Sequence, residues 1–186
     1  VLPLISSPSP FTDPNVPAHL IVHWHLPFTH SYTSTSSSGG QVAFIFAPTP
    51  SFVSAVNAGR TSAAQANTLN WLLRSPEDSK VSGRFKAIMR LRNLEALGLT
   101  TVKKWNGKPV LVQKTGRSVL HPSSSSSSSS RASVLEFNVD VHSWGTFSRR
   151  ALVGVLPRLS EMDVECGFLV ESRGEGEEGI MGCARV

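Results

Sequence analysis

Two sets of side chains in this sequence have the means to do chemistry. In Ala18-His-Leu-Ile-Val-His-Trp-His-Leu26, His23 and His25 recur with a period of two. In Leu135-Glu-Phe-Asn-Val-Asp-Val-His142, so do Asp140 and His142. Imidazole and carboxylate suit zinc or iron, and a period of two aims alternate side chains to one side of a strand. His23, His25, Asp140 and His142 are therefore where a divalent ion would be sought. A wet outer sheet face produces the same polar pattern through solvation alone. That plainer reading is adopted, and neither a metal nor a cofactor is expected.

The second set is basic. Arg84, Lys86, Arg90 and Arg92 alternate with apolar residues, and Lys103, Lys104 and Lys108 follow beside Trp105. Clustered cations next to an aromatic ring suit anionic lipid headgroups or an acidic protein partner. At about 1 kcal/mol per basic residue near an anionic membrane, four contacts give roughly 4 kcal/mol. That is weak alone and useful beside another membrane-binding domain. These eight residues are the expected contact site. The competing explanation is internal, because the last third of the chain is acidic enough to neutralise them. Nucleic acid is not expected, since no recognition helix or RNA-binding sheet motif accompanies the charge.

Other chemistries lack their residues. There is no Gly-x-Ser-x-Gly, and Gly107-Lys108-Pro109 has neither the earlier glycine nor the helix of a phosphate loop. The glycines from Gly174 to Gly179 are interleaved with glutamates that would repel phosphate. No pair of carboxylates stands out for acid–base work. An enzyme is not expected.

The 186 residues suit one domain with a buried core. The net charge of +5 is unevenly spread. Residues 60–120 hold twelve basic side chains against three acids, and residues 121–186 hold nine acids against six basic ones. Two cysteines, Cys166 and Cys183, are too few for a disulfide scaffold, so free buried thiols in a cytoplasmic setting are expected. No apolar run approaches the about 18 residues of a membrane span, and the start lacks the pattern of a signal peptide. With Val1 first and Val186 inside an apolar run, the chain is read as an excerpt truncated at both ends.

The elements that would position these groups follow from periodicity. Residues 1–16 form an irregular Pro/Ser-rich lead-in. Strands are expected over 18–26 and 41–46, paired as an antiparallel hairpin. Two short helices follow over 51–73, separated at Gly59. Further strands are expected at 84–92, in a hairpin of 102–105 with 108–114 about the Asn106-Gly107 turn, and at 134–144. In the last of these Leu135, Phe137, Val139 and Val141 alternate with polar residues. A helix from about Thr146 to Leu159, with Phe147, Ala151, Leu152, Val155 and Leu159 on one face, is broken by Pro157 and covers that central strand. Strands at 164–171 and 180–186 complete the pattern, and the serines from Ser123 to Ser130 belong to a disordered loop at about 121–133. The fold class is α+β, a mainly antiparallel sheet of about seven strands with a covering helix and a short helical segment between strands.

Arg84-Phe-Lys-Ala-Ile-Met-Arg-Leu91, Val102-Lys-Lys-Trp105, Gly107-Lys-Pro-Val-Leu111, Leu135-Glu-Phe-Asn-Val-Asp-Val-His-Ser143, Phe168-Leu-Val-Glu171 and Met181-Gly-Cys-Ala-Arg-Val186 occur in an order that resembles the C-terminal domain of the plant Enhanced Disease Resistance 2 protein family. The resemblance covers residues 17–186. It implies a cytoplasmic domain, peripherally attached to membranes, in proteins that also carry pleckstrin-homology and lipid-transfer domains and that restrain defence and cell death. An Arg-Gly and a Tyr-Leu motif that open the family's domain are missing here. The resemblance assigns no mechanism to this domain. Two readings are carried forward: a regulatory domain contacting lipid or protein through the basic face, and an apolar ligand binder with a cavity lined by Phe85, Met89, Phe137, Val139 and Phe168.

Overall fold

The alternation around Phe137 produces a strand that buries one whole face. In the computed structural model, which describes residues 8–27, 39–122, 133–174 and 177–186, that strand lies inside a four-stranded sheet. The elements run β1 (His19–Pro27), β2 (Gly39–Phe46), α1 (Pro50–Asn57), α2 (Ala63–Arg74), α3 (Ser79–Ser82), β3 (Phe85–Leu91), β4 (Pro109–Leu111), β5 (Gly116–His121), β6 (Val134–Asp140), α4 (Thr146–Val155), β7 (Val164–Val170) and β8 (Ile180–Arg185). One sheet has the order β2-β1-β6-β5 and the other β4-β3-β7-β8. All neighbours are antiparallel except β1 and β6, which run parallel with Val22 opposite Phe137.

The α+β class holds, but the described residues form eight strands in two sheets rather than about seven in one. The expected covering helix is a minor part of the cover. Leu20, Val22 and Trp24 of β1 and Leu135, Phe137 and Val139 of β6 share a core with Phe85 and Ala87 of β3 and Cys166, Phe168 and Val170 of β7. The sheets therefore face each other. Phe85 and Phe137 meet with ring centroids 4.1 Å apart, and Phe168 lies 5.7 Å from Phe85. Trp71 of α2, fully buried, comes within 5.4 Å of Phe85 and 5.5 Å of Phe137. Contacts between aromatic rings add about 0.5–1.5 kcal/mol each to the burial itself. From the α4 region, Leu152 and the following Leu156 reach this core only as partly buried side chains, while Phe147 and Leu159 point out.

Local chemistry explains the helix ends. Thr49 caps α1, with Pro50 in its first turn, and Gly59 (φ 63°) makes the break before α2. Ser62 and Gln65 form a reciprocal capping box at the start of α2. Pro157 falls in a 3₁₀ turn (Leu156–Glu161) that ends α4. β6 stops at Asp140, four residues before Trp144, because Val141–Ser143 turns into a 3₁₀ helix on the Asp140 carboxylate.

The expected hairpin at 102–114 is replaced. Thr100–Trp105 is a 3₁₀ turn, and only Pro109–Leu111 forms a strand, paired with β3. Asn106 has φ −59° and ψ 121° and Gly107 has φ 72°, a type II turn rather than the hairpin type with both residues at positive φ. The next strand, β5, which the pattern did not reveal, joins the other sheet and pairs with β6. Cys166 is buried, and burial pushes its thiol up to about 11. Cys183 on β8 is exposed, not buried as expected. The serines 123–130 lie outside the described residues.

Truncating Phe137 to Ala is expected to lower unfolding stability by about 3–5 kcal/mol, as large-to-small core changes do. Gly116→Ala should cost about 1–3 kcal/mol by overpacking, since a Cβ there would strike the Phe137 ring and lie 2.7 Å from the Val112 carbonyl. Urea unfolding of both variants checks this; a midpoint within error of the parent for Phe137→Ala would disprove the packing described.

Candidate functional site

The eight basic and aromatic residues singled out from the sequence do not form one surface. Lys86, Ile88 and Arg90 project from the outer side of β3, and the neighbouring β7 places Glu165 directly opposite Arg90. Arg90 lies 3.8 Å and Arg92 3.5 Å from Glu165, and Arg92 also reaches Asp163 at 3.9 Å. Lys86 is engaged by Glu178 at 2.7 Å and Glu171 at 3.8 Å. Arg84, just before β3, donates to the Glu171 carbonyl at 2.6 and 2.8 Å and to the Asn67 side chain. Arg185 grips Asp163 with two bonds of 2.8 Å, and this hydrogen bonding holds the Asp163 carboxyl below its ordinary range. Acids of the last third thus sit against this part of the basic set.

The rest gathers at the turn before β4. Asn106 accepts from the Leu91 amide (2.6 Å) and donates to the Leu91 carbonyl (3.0 Å), which pins the turn to the end of β3. Trp105 is held out beside it, 38% exposed, and its ring lies 5.3 Å from that of Phe147, which is 64% exposed. The Lys104 ammonium stands 4.1 Å over the indole ring, and a cation there is attracted by the ring's negative face. Lys103 pairs with Glu95 at 3.2 Å, with both side chains exposed, and Lys108 is exposed. The result is an exposed aromatic pair with Lys104 against it and Lys103 and Lys108 on the same turn.

The histidine set is arranged differently from expectation. On the outer face of the first sheet, His23 from β1 and His121 from β5 approach Glu136 of β6 from opposite diagonals, at 3.2 and 2.7 Å to its two oxygens. His25 bonds to Asn138 (2.9 Å), and Gln41 donates to its other nitrogen (3.4 Å). His142 lies in the turn beyond β6, off the strand face. Among the described residues no group of three or more His, Cys, Asp or Glu is placed to hold a metal ion. Imidazoles on opposite sides of one carboxylate use it as a shared acceptor.

The family model described as Protein ENHANCED DISEASE RESISTANCE 2, C-terminal, matches residues 7–186. The chain belongs to this family. No curated protein and no solved structure gives a match. The match to the Enhanced Disease Resistance 2 C-terminal family takes in the lead-in from residue 7, where Phe11 is buried and packs edge-on to Phe52 of α1 at 6.1 Å. No helix among the described residues is long and apolar enough to cross a membrane.

Three participants escaped the sequence pattern. Phe147 was assigned to a buried helix face, and only its pairing with Trp105 reveals its position. His121 is a single histidine in a strand without alternation. Glu136 was visible as one polar residue among four on its strand, with nothing to mark it as the acceptor for two imidazoles.

Burial pushes the Glu136 carboxyl up, but hydrogen bonds with His23, His121 and Asn138, together with the His121 charge, outweigh it and hold the carboxyl below its ordinary value. A depressed carboxylate stabilises the fold above the unfolded pKa of about 4.3, and the contribution disappears as pH falls through the folded value. Glu136→Gln is therefore expected to be less stable than the parent by about 1–2 kcal/mol near neutral pH, with the gap closing below about pH 4. Urea melts across that range decide it; a gap that widened in acid would refute the assignment.

Proposed function

We propose that this domain is a non-enzymatic accessory module that docks on anionic membrane surfaces through the Thr100–Lys108 turn and the start of α4. The observation that carries the reading is the exposed Trp105–Phe147 pair with Lys104 over the indole. Aromatic rings of this kind settle at the level of lipid headgroups, where indole is especially favoured. Lys103, Lys104, Lys108 and the neighbouring Arg90 add about 1 kcal/mol each near an anionic surface, roughly 4 kcal/mol together. That corresponds to a partition on the order of a thousandfold, suited to a module that assists other membrane-binding domains in the same protein.

The internal pairs do not oppose this. Lys103–Glu95 and Arg90–Glu165 are exposed, and exposed pairs contribute about 0–1 kcal/mol, so both cations exchange a carboxylate for a lipid phosphate at little cost. Arg84 and Lys86 are more deeply engaged and Arg92 has two acids; these three serve the sheet and stay out of the contact. The resulting placement is cytoplasmic with peripheral membrane attachment, in line with a part in regulating defence and cell death.

Flotation with vesicles of neutral phosphatidylcholine, with and without phosphoinositide, tests this. Binding is expected only with the anionic lipid and should weaken with salt, because exposed charges are screened over about 8–10 Å. Lys104→Glu with Lys108→Glu, and separately Trp105→Ala with Phe147→Ala, should each reduce binding by at least about tenfold. Equal binding to neutral vesicles, or indifference to both double variants, would sink the reading.

A further inference from the structure

Away from the basic turn, the lead-in, the start of β1, the end of β2, α1, α2 and the start of β8 converge on a pocket of about 230 Å³. Phe46, Phe52, Leu72 and Met181 supply apolar wall. This space is separate from the gap between the sheets, where Phe85, Phe137, Val139 and Phe168 are all fully buried; Met89, the fifth residue expected to line a central cavity, is 43% exposed at the strand end.

The polar side chains that line the pocket among the described residues are His19, Thr49, Gln65 and Thr68. Gln65 and Thr68 line it from α2, three residues apart and so on one side of the helix. The Gln65 carbonyl oxygen already accepts from the Ser62 amide at 2.9 Å, which leaves its NH₂ group as the end able to donate. His19, 8% exposed, also lines the pocket, and its Nδ1 is buried with no hydrogen-bond partner among the described residues. An unpaired buried polar atom costs about 1–3 kcal/mol, so an occupant that brings it a partner is favoured. Among the described residues no Asp, Glu, Lys or Arg lines the pocket.

We propose that this pocket binds a small, neutral, mainly apolar molecule with a single carbonyl acceptor, such as a ketone. The chemistry sets each part of that description. The aromatic and aliphatic walls take the hydrocarbon part, and the amide of Gln65, the hydroxyl of Thr68 and His19, in its Nδ1–H tautomer, are the donors available to the oxygen. A carboxylate finds no Lys or Arg to pair with among the described lining residues, and burying a charge without such a partner is far more costly than burying a hydrogen-bonded carbonyl. At the packing density of protein interiors, about 0.75, the pocket takes a molecule of roughly 170 Å³, about ten non-hydrogen atoms. A full-length membrane lipid is too large. The assignment stands independently of the membrane contact.

The test is a titration of the ¹⁵N-labelled chain with 2-octanone and, separately, with octanoate at neutral pH, followed by amide chemical shifts. Saturable changes confined to residues around Phe46, Phe52, Thr68 and Met181 are expected with the ketone, and octanoate should bind at least about tenfold more weakly. Thr68→Leu, which removes the donor and narrows the pocket, should weaken the ketone by about tenfold or more. Ala47→Phe, at the exposed rim of the same pocket, provides a blocking variant that leaves the core untouched and decides the matter if Thr68→Leu fails to fold. No saturable change with 2-octanone, changes spread over both sheets, equal affinity for octanoate, or full affinity in Ala47→Phe would each overturn the proposal.

Discussion

The contact between Phe85 and Phe137 is the constraint from which the rest of the structure follows. It is a tight ring contact, 4.1 Å between centroids, between two separately hydrogen-bonded sheets, and Trp71 and Phe168 close around it. Backbone pairing fixes strands within each sheet, but only side chains fix one sheet against the other. Phe85 opens β3, whose far end carries Asn106 and the lysine-bearing turn. The position of Trp105 relative to Phe147 therefore depends on aromatic packing at the opposite end of the same strand. Even the shape of β5 answers to this contact, since Gly116 leaves room for the Phe137 ring.

Charge is handled differently on the two outer faces. The second sheet sets arginine and lysine across from glutamate and aspartate, so most of its field is cancelled by its own neighbour strand. The first sheet carries histidines around one carboxylate, where hydrogen bonding rather than net charge organises the groups. The uncompensated positive charge is displaced to the rim, next to the exposed rings. The surface proposed for membrane contact combines those two properties at one place, and the flat faces of the domain do not.

Much of the architecture was legible because hydrophobic alternation is a local signal. β1, β3, β6 and β7 each bury one face, and Val42, Phe44 and Phe46 of β2 pack half-buried against the same core, so residues two apart announce these strands. The single-sheet expectation failed because alternation says that a face is buried without saying what buries it. A helix following β6 in sequence looked like the natural cover, while the true partner, β3 with β7, is distant in the chain. β5 was missed because Ser118 is its only buried side chain and Val119 and Leu120 are exposed. The turn at Asn106-Gly107 was found as a turn and mistaken in type, since Asn106 spends its amide on the Leu91 backbone rather than on adopting positive φ. The basic residues were legible as a set; their division between paired and outward groups depends on cross-strand register, which no single strand reveals.

The parallel pairing of β1 with β6 also sets the order of events during synthesis. His19 has no neighbour on that side until Val134 has been made, and everything from α1 to β5 emerges in between. The β1–β2 hairpin leaves the ribosome with one edge open and with Leu20, Val22 and Trp24 unburied. Contacts so distant along the chain close slowly, and an open apolar edge is the kind of surface on which nascent chains aggregate. The apolar face of β1 thus waits for its cover until β6 has been made, while His19, His23 and His25 give the opposite face of the strand its polar character.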